Sequence, residues 1–423
     1  ALVWISWLYA RSSQSAPHLP GLVVCPKSVV DVWLSETAKF TPDLRTIRFT
    51  GDIPSPRNKI HLLVMNYAQL RLHSEKLVKQ PWLATILDEG QNIKNPDSQT
   101  AVIARSLNAD HRLVMTGTPI ENRLMDLWSL MAFAMPGVLG NHAYFRKRFD
   151  QNPDALVRQR LAARMRPFLL RRTKKQVAPE LPERTEEIIH CEFEEEQHTL
   201  YRAELKRAQQ MLLKVHTKAE LAKTRFNILQ SLLRLRQICC HPALLGKACG
   251  KTESAKMKAL FEMLEPLREE GHKVLVFSQF VTMLDILRKE IKQREWPHFY
   301  LTGETENRQE VVQAFQSSSD AALFLLSLRA AGAGLNLTAA SYVVLFDPWW
   351  NPAVEAQAID RTHRIGQVNH VIAYRLLMKD SVEEKIHELQ KKKHALSQDI
   401  LGEEGFTKNL TMEDFKLLFS DNI

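Results

Sequence analysis

Cysteine is scarce in this chain, with five among 423 residues. An odd count without paired spacing supplies neither a disulfide framework nor a zinc site. Cys239-Cys240-His241 sets three potential ligands side by side. Adjacent residues on a helix point in different directions, however, and no second pair completes a tetrahedron, so the segment reads as a helix end. Long apolar runs are missing as well. The opening stretch ALVWISWLYA is cut at Arg11, too short to span a bilayer, and it lacks the layout of a secretory signal. No internal repeat or low-complexity tract is found, and a 45% hydrophobic content is ordinary for a globular protein, so large disordered blocks are not expected. These absences leave a protein of a reducing compartment: intracellular and not secreted, cytoplasmic in a prokaryote or nuclear in a eukaryote, with no membrane and no zinc partner. An acidic excess is also lacking. Lys+Arg outnumber Asp+Glu by 57 to 48, a net charge of +9, which favours polyanionic partners although the charge is spread out. Arg171-Arg172-Thr173-Lys174-Lys175 and Lys391–Lys393 concentrate it enough to contact phosphate; the second reads equally well as a solvated surface run.

What is present is most informative at Ser341–Gln367, SYVVLFDPWWNPAVEAQAIDRTHRIGQ. A short apolar run predicts a buried strand ending at Asp347-Pro348, followed by a loop with two tryptophans and a helix from about Pro352. Gln357, Arg361 and Arg364 stand at i, i+4 and i+7, a spacing that puts all three on one helical face. Two arginines aimed together form a receptor for concentrated negative charge such as a triphosphate. A solvated basic helix face would carry the same spacing.

Far upstream, Ala84-Thr85-Ile86-Leu87-Asp88-Glu89-Gly90-Gln91 runs an apolar strand into two adjacent carboxylates. In triphosphatases built on parallel sheets, the first such acid holds Mg²⁺, usually through water, and the second orients or deprotonates the attacking water. Many strands end in exposed acids, so the pair gains meaning from its company. That company includes His111–Trp128, HRLVMTGTPIENRLMDLW. Here Arg112–Met115 predicts another buried strand, Thr116-Gly117-Thr118-Pro119 a tight polar turn, and a helix follows from about Asn122.

Taken together, these segments resemble the Swi/Snf-related branch of the superfamily 2 helicase-like ATPases. The likeness extends through LVVCPKSVVDVWLSETAKF (Leu22–Phe40), LDEGQNIKNPDSQTA (Leu87–Ala101), PFLLRRTKKQVAPELPERTE (Pro167–Glu186), LRLRQICCHPALL (Leu233–Leu245), KVLVFSQF (Lys273–Phe280) and the long run Leu326–Gln367. It covers the chain from about Leu22 to about Lys393. The RRTKK…ELP segment and RTHRIGQ separate this branch from RNA-directed helicases.

The resemblance implies an α/β fold of two RecA-like parallel-sheet lobes with a helical insertion between them. The lobes clamp ATP and walk along one strand of duplex DNA, remodelling a DNA-bound protein complex. By the same likeness, Asp88 and Glu89 are the Mg²⁺ and water-activating acids. Arg361 and Arg364 are the arginines offered to the triphosphate, with Gln357, Gly334, Thr116 and Gly117 beside the nucleotide. Pro26, Lys27, Ser28, Lys94, Asn95, Thr118, Ser278, Gln279, Ser327 and Arg329 match positions that touch the DNA backbone. ATP and Mg²⁺ are the implied cofactors. Double-stranded DNA, read with little sequence preference, and an unidentified DNA-bound protein are the implied partners. Two departures are mild: Gly90 stands where the family usually has alanine, and Ala331-Gly332-Ala333-Gly334 replaces a more glycine-rich turn.

A third departure is larger. The family's first lobe begins with a glycine-rich loop ending Gly-Lys-Thr or Gly-Lys-Ser, whose amides and lysine cradle phosphates. The sole Gly-Lys-Thr here is Gly250-Lys251-Thr252; Leu245 occupies the place of that loop's first glycine, and a helical pattern, not a strand, precedes it. ALVWISWLYA looks like the helix that normally follows the loop. Position 1 is not Met, which favours a chain that is the downstream part of a longer polypeptide over a natural copy that has lost ATP binding. Either way, little ATP hydrolysis is expected from this chain alone.

The expected organisation is a first RecA-like lobe over 1–140, a helical insertion and linker over 141–250, a second RecA-like lobe over 251–380, and a C-terminal helix and tail over 381–423. Strands are predicted at Leu22–Cys25, His61–Met65, Ala84–Leu87 and Arg112–Met115. Five more are predicted at Lys273–Phe277, His298–Leu301, Ala322–Leu326, Tyr342–Phe346 and His370–Tyr374, with a short one within Glu183–Phe193. Three functions remain open: the motor part of a DNA translocase, a catalytically silent DNA-binding or scaffold subunit, and an RNA-directed helicase disfavoured by the two branch signatures.

Overall fold

The structure, a computed structural model, describes the chain except for residues 12–18, 54–58, 117–123, 151–154, 171, 173, 179, 216, 247–251, 253, 332–334, 365, 397–409 and 421–423. It comprises two compact units, Ala1–Arg171 and Arg172–Ile423.

The first unit is built on strands β1 (Gly21–Cys25), β2 (Thr46–Arg48), β3 (Leu62–Asn66), β4 (Trp82–Asp88) and β5 (Ala109–Met115), in the order β2-β3-β1-β4-β5 with every pairing parallel. All five residues of β1 are buried, as befits a central parallel strand covered on both faces. One face packs Leu22, Val24, Leu63, Met65 and Leu87; the other packs Val23, Leu62, Val64, Ala84 and Ile86. The strict alternation along each strand produces the two layers. The β4–β5 register sets Asp88 opposite Met115, so the residues after both strands emerge at the same sheet edge. The strand β2 was not anticipated from sequence. It is three residues long and only partly buried, too short to show a periodic pattern.

The second unit adds β6 (Arg184–Cys191), β7 (Val274–Ser278), β8 (His298–Leu301), β9 (Leu323–Ser327), β10 (Tyr342–Leu345) and β11 (Val371–Met378), in the order β6-β11-β10-β7-β9-β8, again all parallel. The fold is therefore α/β with two parallel sheets. The short strand expected within 183–193 pairs along its full length with β11, from Arg184–Val371 to Cys191–Met378. The helices Glu195–Leu213 and Lys218–Cys240 join the same unit: Tyr201, Leu205, Ile228, Leu232 and Leu235 share one buried cluster with Leu264, Val274, Val276 and Leu323. Thr217 and Glu220 cap the second of these helices reciprocally. The tail, unplaced by sequence reading, returns as the helix Met412–Leu418 and buries Phe415, Leu418 and Phe419 in that cluster.

Candidate nucleotide site and its supports

Asp88 is the last residue of β4, and its carboxylate is held from two sides. The Trp33 indole N–H donates to one oxygen at 2.9 Å and the Glu89 backbone N–H to the other at 3.0 Å, while the Tyr67 hydroxyl donates to the Asp88 carbonyl at 2.8 Å. Burial raises the Asp88 pKa above the ordinary carboxylate value, and the two hydrogen bonds to the carboxylate act against that rise. Trp33 comes from the helix Val30–Phe40 and Tyr67 from the first residue after β3. Sequence reading assigned neither a role. The available signal was an aromatic with a polar tip shortly after each of two buried strands, at the edge where Asp88 emerges.

Glu89 adopts the left-handed conformation, φ 53°, uncommon for a residue with a side chain and a recurrent feature of functional edges. Its carboxylate accepts from the Gln91 amide at 2.9 Å, and the Gln91 carbonyl oxygen accepts from the Thr116 hydroxyl at 3.1 Å. The acid pair after β4 is thus tied to the turn after β5 through one side chain. Gly90 allows this close approach: a Cβ there would lie 2.4 Å from Val114 Cγ1 and 3.2 Å from Leu130 Cδ2. Pro26, Lys27 and Ser28 follow β1 at the same edge, with Lys27 exposed; Lys94 is half-buried and Asn95 exposed. Gly117 and Thr118 lie outside the described residues.

In the second unit the helix starting at Pro352 ends at Ile359, which corrects the expectation that Gln357, Arg361 and Arg364 share one helical face. Gln357 is on the helix, and both arginines follow it in a turn. The reason is local. The Thr362 hydroxyl donates to the Ile359 carbonyl at 2.7 Å, and Arg361 N and Thr362 N bond three residues back, to Ala358 and Ile359. These bonds satisfy the helix's terminal carbonyls and tighten the last turn. The Gln367 side-chain amide then donates to the carbonyls of Thr338, Ala340 and Thr362 at 3.1, 2.9 and 3.1 Å. Gln367 fastens the turn to the preceding segment, a role sequence reading did not assign. Arg361 is buried and Arg364 half-buried.

The loop Asp347–Asn351, between β10 and that helix, is braced by buried polar groups. Asp347 accepts from the Ser278 hydroxyl and the Gln279 N–H, and burial raises its pKa. Lys256 and Glu383 form an ion pair at 2.6 Å with neither side chain exposed, and Lys256 also donates to the Phe346 carbonyl at 2.8 Å. Arg236 donates to the Pro348 carbonyl and lies 4.6 Å over the Trp350 ring. The Gln390 amide reaches the Trp349 carbonyl at 2.6 Å, and Glu355 accepts from the Trp349 N–H at 2.6 Å. A buried charge survives when paired and hydrogen-bonded, and breaking one partner costs far more than the pair is worth.

A second support flanks the arginines. Arg184 pairs with Asp360 at 3.1 Å, and His363 bonds the Pro182 carbonyl at 2.8 Å. Arg375 pairs with Glu355 at 2.7 Å and with Glu186 at 3.6 Å. The segment Pro182–Glu186 is therefore latched to both ends of the helix–turn that carries Gln357, Arg361 and Arg364. Of the expected DNA-contacting residues, Ser278 and Ser327 are buried with inward hydroxyls, the first on Asp347 and the second accepting from Ala330 N at 3.2 Å. Gln279 is half-buried. Arg329 lies in the short helix Leu328–Ala331, and Gly334 lies outside the described residues.

A profile of the SNF2-related domain matches residues 1–244, more than half of the chain. The chain belongs to the SNF2-related family. The helicase conserved C-terminal domain matches residues 255–366. An uncharacterized ATP-dependent helicase of Mycoplasma pneumoniae is 34% identical to this SNF2-related chain over 95% of it and 39% of the helicase. The human SWI/SNF-related matrix-associated actin-dependent regulator of chromatin subfamily A member 1 is 34% identical over 90% of the chain and 38% of the regulator. A putative ATP-dependent helicase/translocase of Bacillus subtilis is 34% identical over 98% of the chain and 46% of that protein. The chain thus spans less than half the length of these relatives. Among solved structures, the Sulfolobus solfataricus SWI2/SNF2 ATPase core in complex with dsDNA is 34% identical, covering 99% of this chain and 89% of that one, with a TM-score of 0.49. Among the described residues, no helix is long and apolar enough to cross a membrane, and no group of three or more His, Cys, Asp or Glu is placed to hold a metal ion.

Proposed function

We propose that this chain is the motor core of an ATP-dependent translocase of double-stranded DNA, and that residues 1–423 by themselves hydrolyse ATP poorly because they contain no phosphate-cradling loop. The observation that carries the reading is the acid pair at the end of β4. Each Asp88 oxygen takes one hydrogen bond, which leaves acceptor capacity on both. With so few carboxylates gathered, the residues suit Mg²⁺, an ion that keeps several waters and takes other oxygens from phosphate. When bound, that ion neutralises charge on the phosphates. Asp88 would hold it, partly through water, and Glu89 would contribute there while orienting the attacking water from a carboxylate steadied by Gln91. Arg361 and Arg364, with Gln357, serve as the phosphate-binding group, and the Gln91–Thr116 link carries the state of the acids to the Thr116–Thr118 turn. Pro26–Ser28, Lys94, Asn95, Gln279 and Arg329 are assigned to the DNA backbone. Grip through phosphates predicts weak sequence preference and strong salt dependence. The protein displaced or remodelled along the DNA is not specified by these residues.

The test compares phosphate release by residues 1–423 with release by the same chain preceded by a strand and a glycine-rich Gly-Lys-Thr loop, each with duplex DNA, single-stranded DNA or RNA. The extended chain should be stimulated by duplex DNA, and Arg361→Ala should lower its rate by roughly 10³–10⁵-fold, the worth of an arginine finger. Full family-like release from residues 1–423 alone refutes the proposed inactivity. An extended chain that stays inert while binding DNA would instead favour a silent scaffold subunit, the reading that the missing loop otherwise supports.

A further inference from the structure

The most charge-imbalanced stretch of the chain is one the site does not use. Arg146–Arg166 holds seven arginines and lysines against two aspartates, in a protein whose overall excess is +9. It folds as a wide turn, Arg146–Asp150, and the helix Ala155–Met165. Phe145, Phe149, Leu161 and Met165 face inward and pack with Met125, Trp128 and Met131. Leu161 and Met165 are four apart and buried; Arg160 and Arg164, also four apart, are exposed on the other side. Arg146, Lys147, Arg148 and Arg166 are exposed too. Among the described residues, none of these six forms an ion pair. Elsewhere in the chain basic side chains commonly have acidic partners, as Arg184, Arg294 and Lys379 do. Arg148 is additionally steadied 5.7 Å over the Tyr144 ring and 5.9 Å over Phe149, which reduces the freedom lost on binding.

We propose that this face is a second binding surface for duplex DNA, separate from the residues assigned to the backbone above, and that it grips phosphates through Arg148, Arg160 and Arg164. Uncompensated like charge on one small face is self-repelling, and a polyanion relieves that repulsion while releasing its own counterions. A nucleic-acid backbone fits better than an acidic protein. Between the two helix arginines the outward residues are Ala162 and Ala163, with no large apolar anchor of the kind protein interfaces centre on, whereas phosphate grip needs charge alone. Choosing duplex DNA over other polyanions rests on the translocase reading above.

The experiment uses residues 1–423, a labelled 30-base-pair duplex of arbitrary sequence, and the triple variant Arg148→Gln/Arg160→Gln/Arg164→Gln. Affinity is measured by anisotropy from 50 to 200 mM salt, with poly-glutamate as a second probe. The variant should bind about tenfold more weakly at 0.1 M salt, and its log-affinity against log-salt slope should be shallower by about two to three, since each phosphate contact contributes about 0.9. The loss should be equal on unrelated sequences. The triple Arg→Lys variant should keep most of the slope and controls for folding, together with an unchanged urea midpoint. Unchanged affinity and slope in the Gln variant overturns the proposal, as does a wild-type chain that retains poly-glutamate at a salt where it has released duplex. The two readings fail separately: hydrolysis by the loop-completed chain that ignores DNA rejects the motor, while loss of duplex binding in the variant leaves this surface standing.

Discussion

Gly90 occupies a space with no room for a methyl group. Val114 Cγ1 lies 2.4 Å and Leu130 Cδ2 3.2 Å from where a Cβ would stand, so the alanine usual in the family would displace the end of β5 or the helix Leu124–Ala134 behind it. Val114 is two residues before Thr116, so this packing bears on the Glu89–Gln91–Thr116 chain. We expect Gly90→Ala to cost about 1–3 kcal/mol in urea unfolding, the range for overpacking. Val114→Ala should relieve it: the double variant should be more stable than the sum of the single effects by about 1 kcal/mol or more. Additive effects would show that the contact is not the reason for glycine here. The departure looks mild in sequence because nothing near position 90 announces Val114; the two meet only through the β4–β5 pairing.

At the scale of elements, the arginine-bearing turn owes its shape to neighbours distant in sequence. The i, i+4, i+7 spacing is real, yet the helix stops at Ile359 because Thr362 and Gln367 offer the backbone better partners than another turn would. Arg184 and Asp360 are 22% and 37% exposed as side chains, so their pair should add less than about 1 kcal/mol to stability. Its larger effect is on position. In the loop-completed chain, Arg184→Asp and Asp360→Arg should each lower the maximal rate about tenfold with a small change in unfolding midpoint, since misplacement of a catalytic group by about 1 Å costs up to about 10²-fold. Combining the two swaps should recover part of the rate. No recovery in the double swap would mean that the latch does not position the turn.

For the whole molecule, the division falls at Arg171–Arg172, and the second unit includes β6 and the two long helices that follow it. Their residues are part of its core: Tyr201, Ile228, Leu232 and Leu235 pack with Val274, Val276 and Leu264. A fragment 172–423 should unfold cooperatively in urea. A fragment 251–423, cut where the second lobe was expected to begin, loses β6 from beside β11 and exposes that core, and should behave as a molten species without a sharp transition. A cooperative 251–423 fragment would show that the helices are an appendage after all.

The strand runs, the order of acids and arginines, and the family itself were written in adjacent residues, because a buried parallel strand announces itself as a continuous apolar run and the chemical groups follow directly after it. The tertiary structure alone decided what holds those groups. Trp33 reaches Asp88 across 55 positions, Arg184 reaches Asp360 across 176, and Arg236 reaches Pro348 across 112. A hydrogen bond between groups that far apart depends on the assembled sheet and on the tilt of a packed helix, and local periodicity carries no information about either.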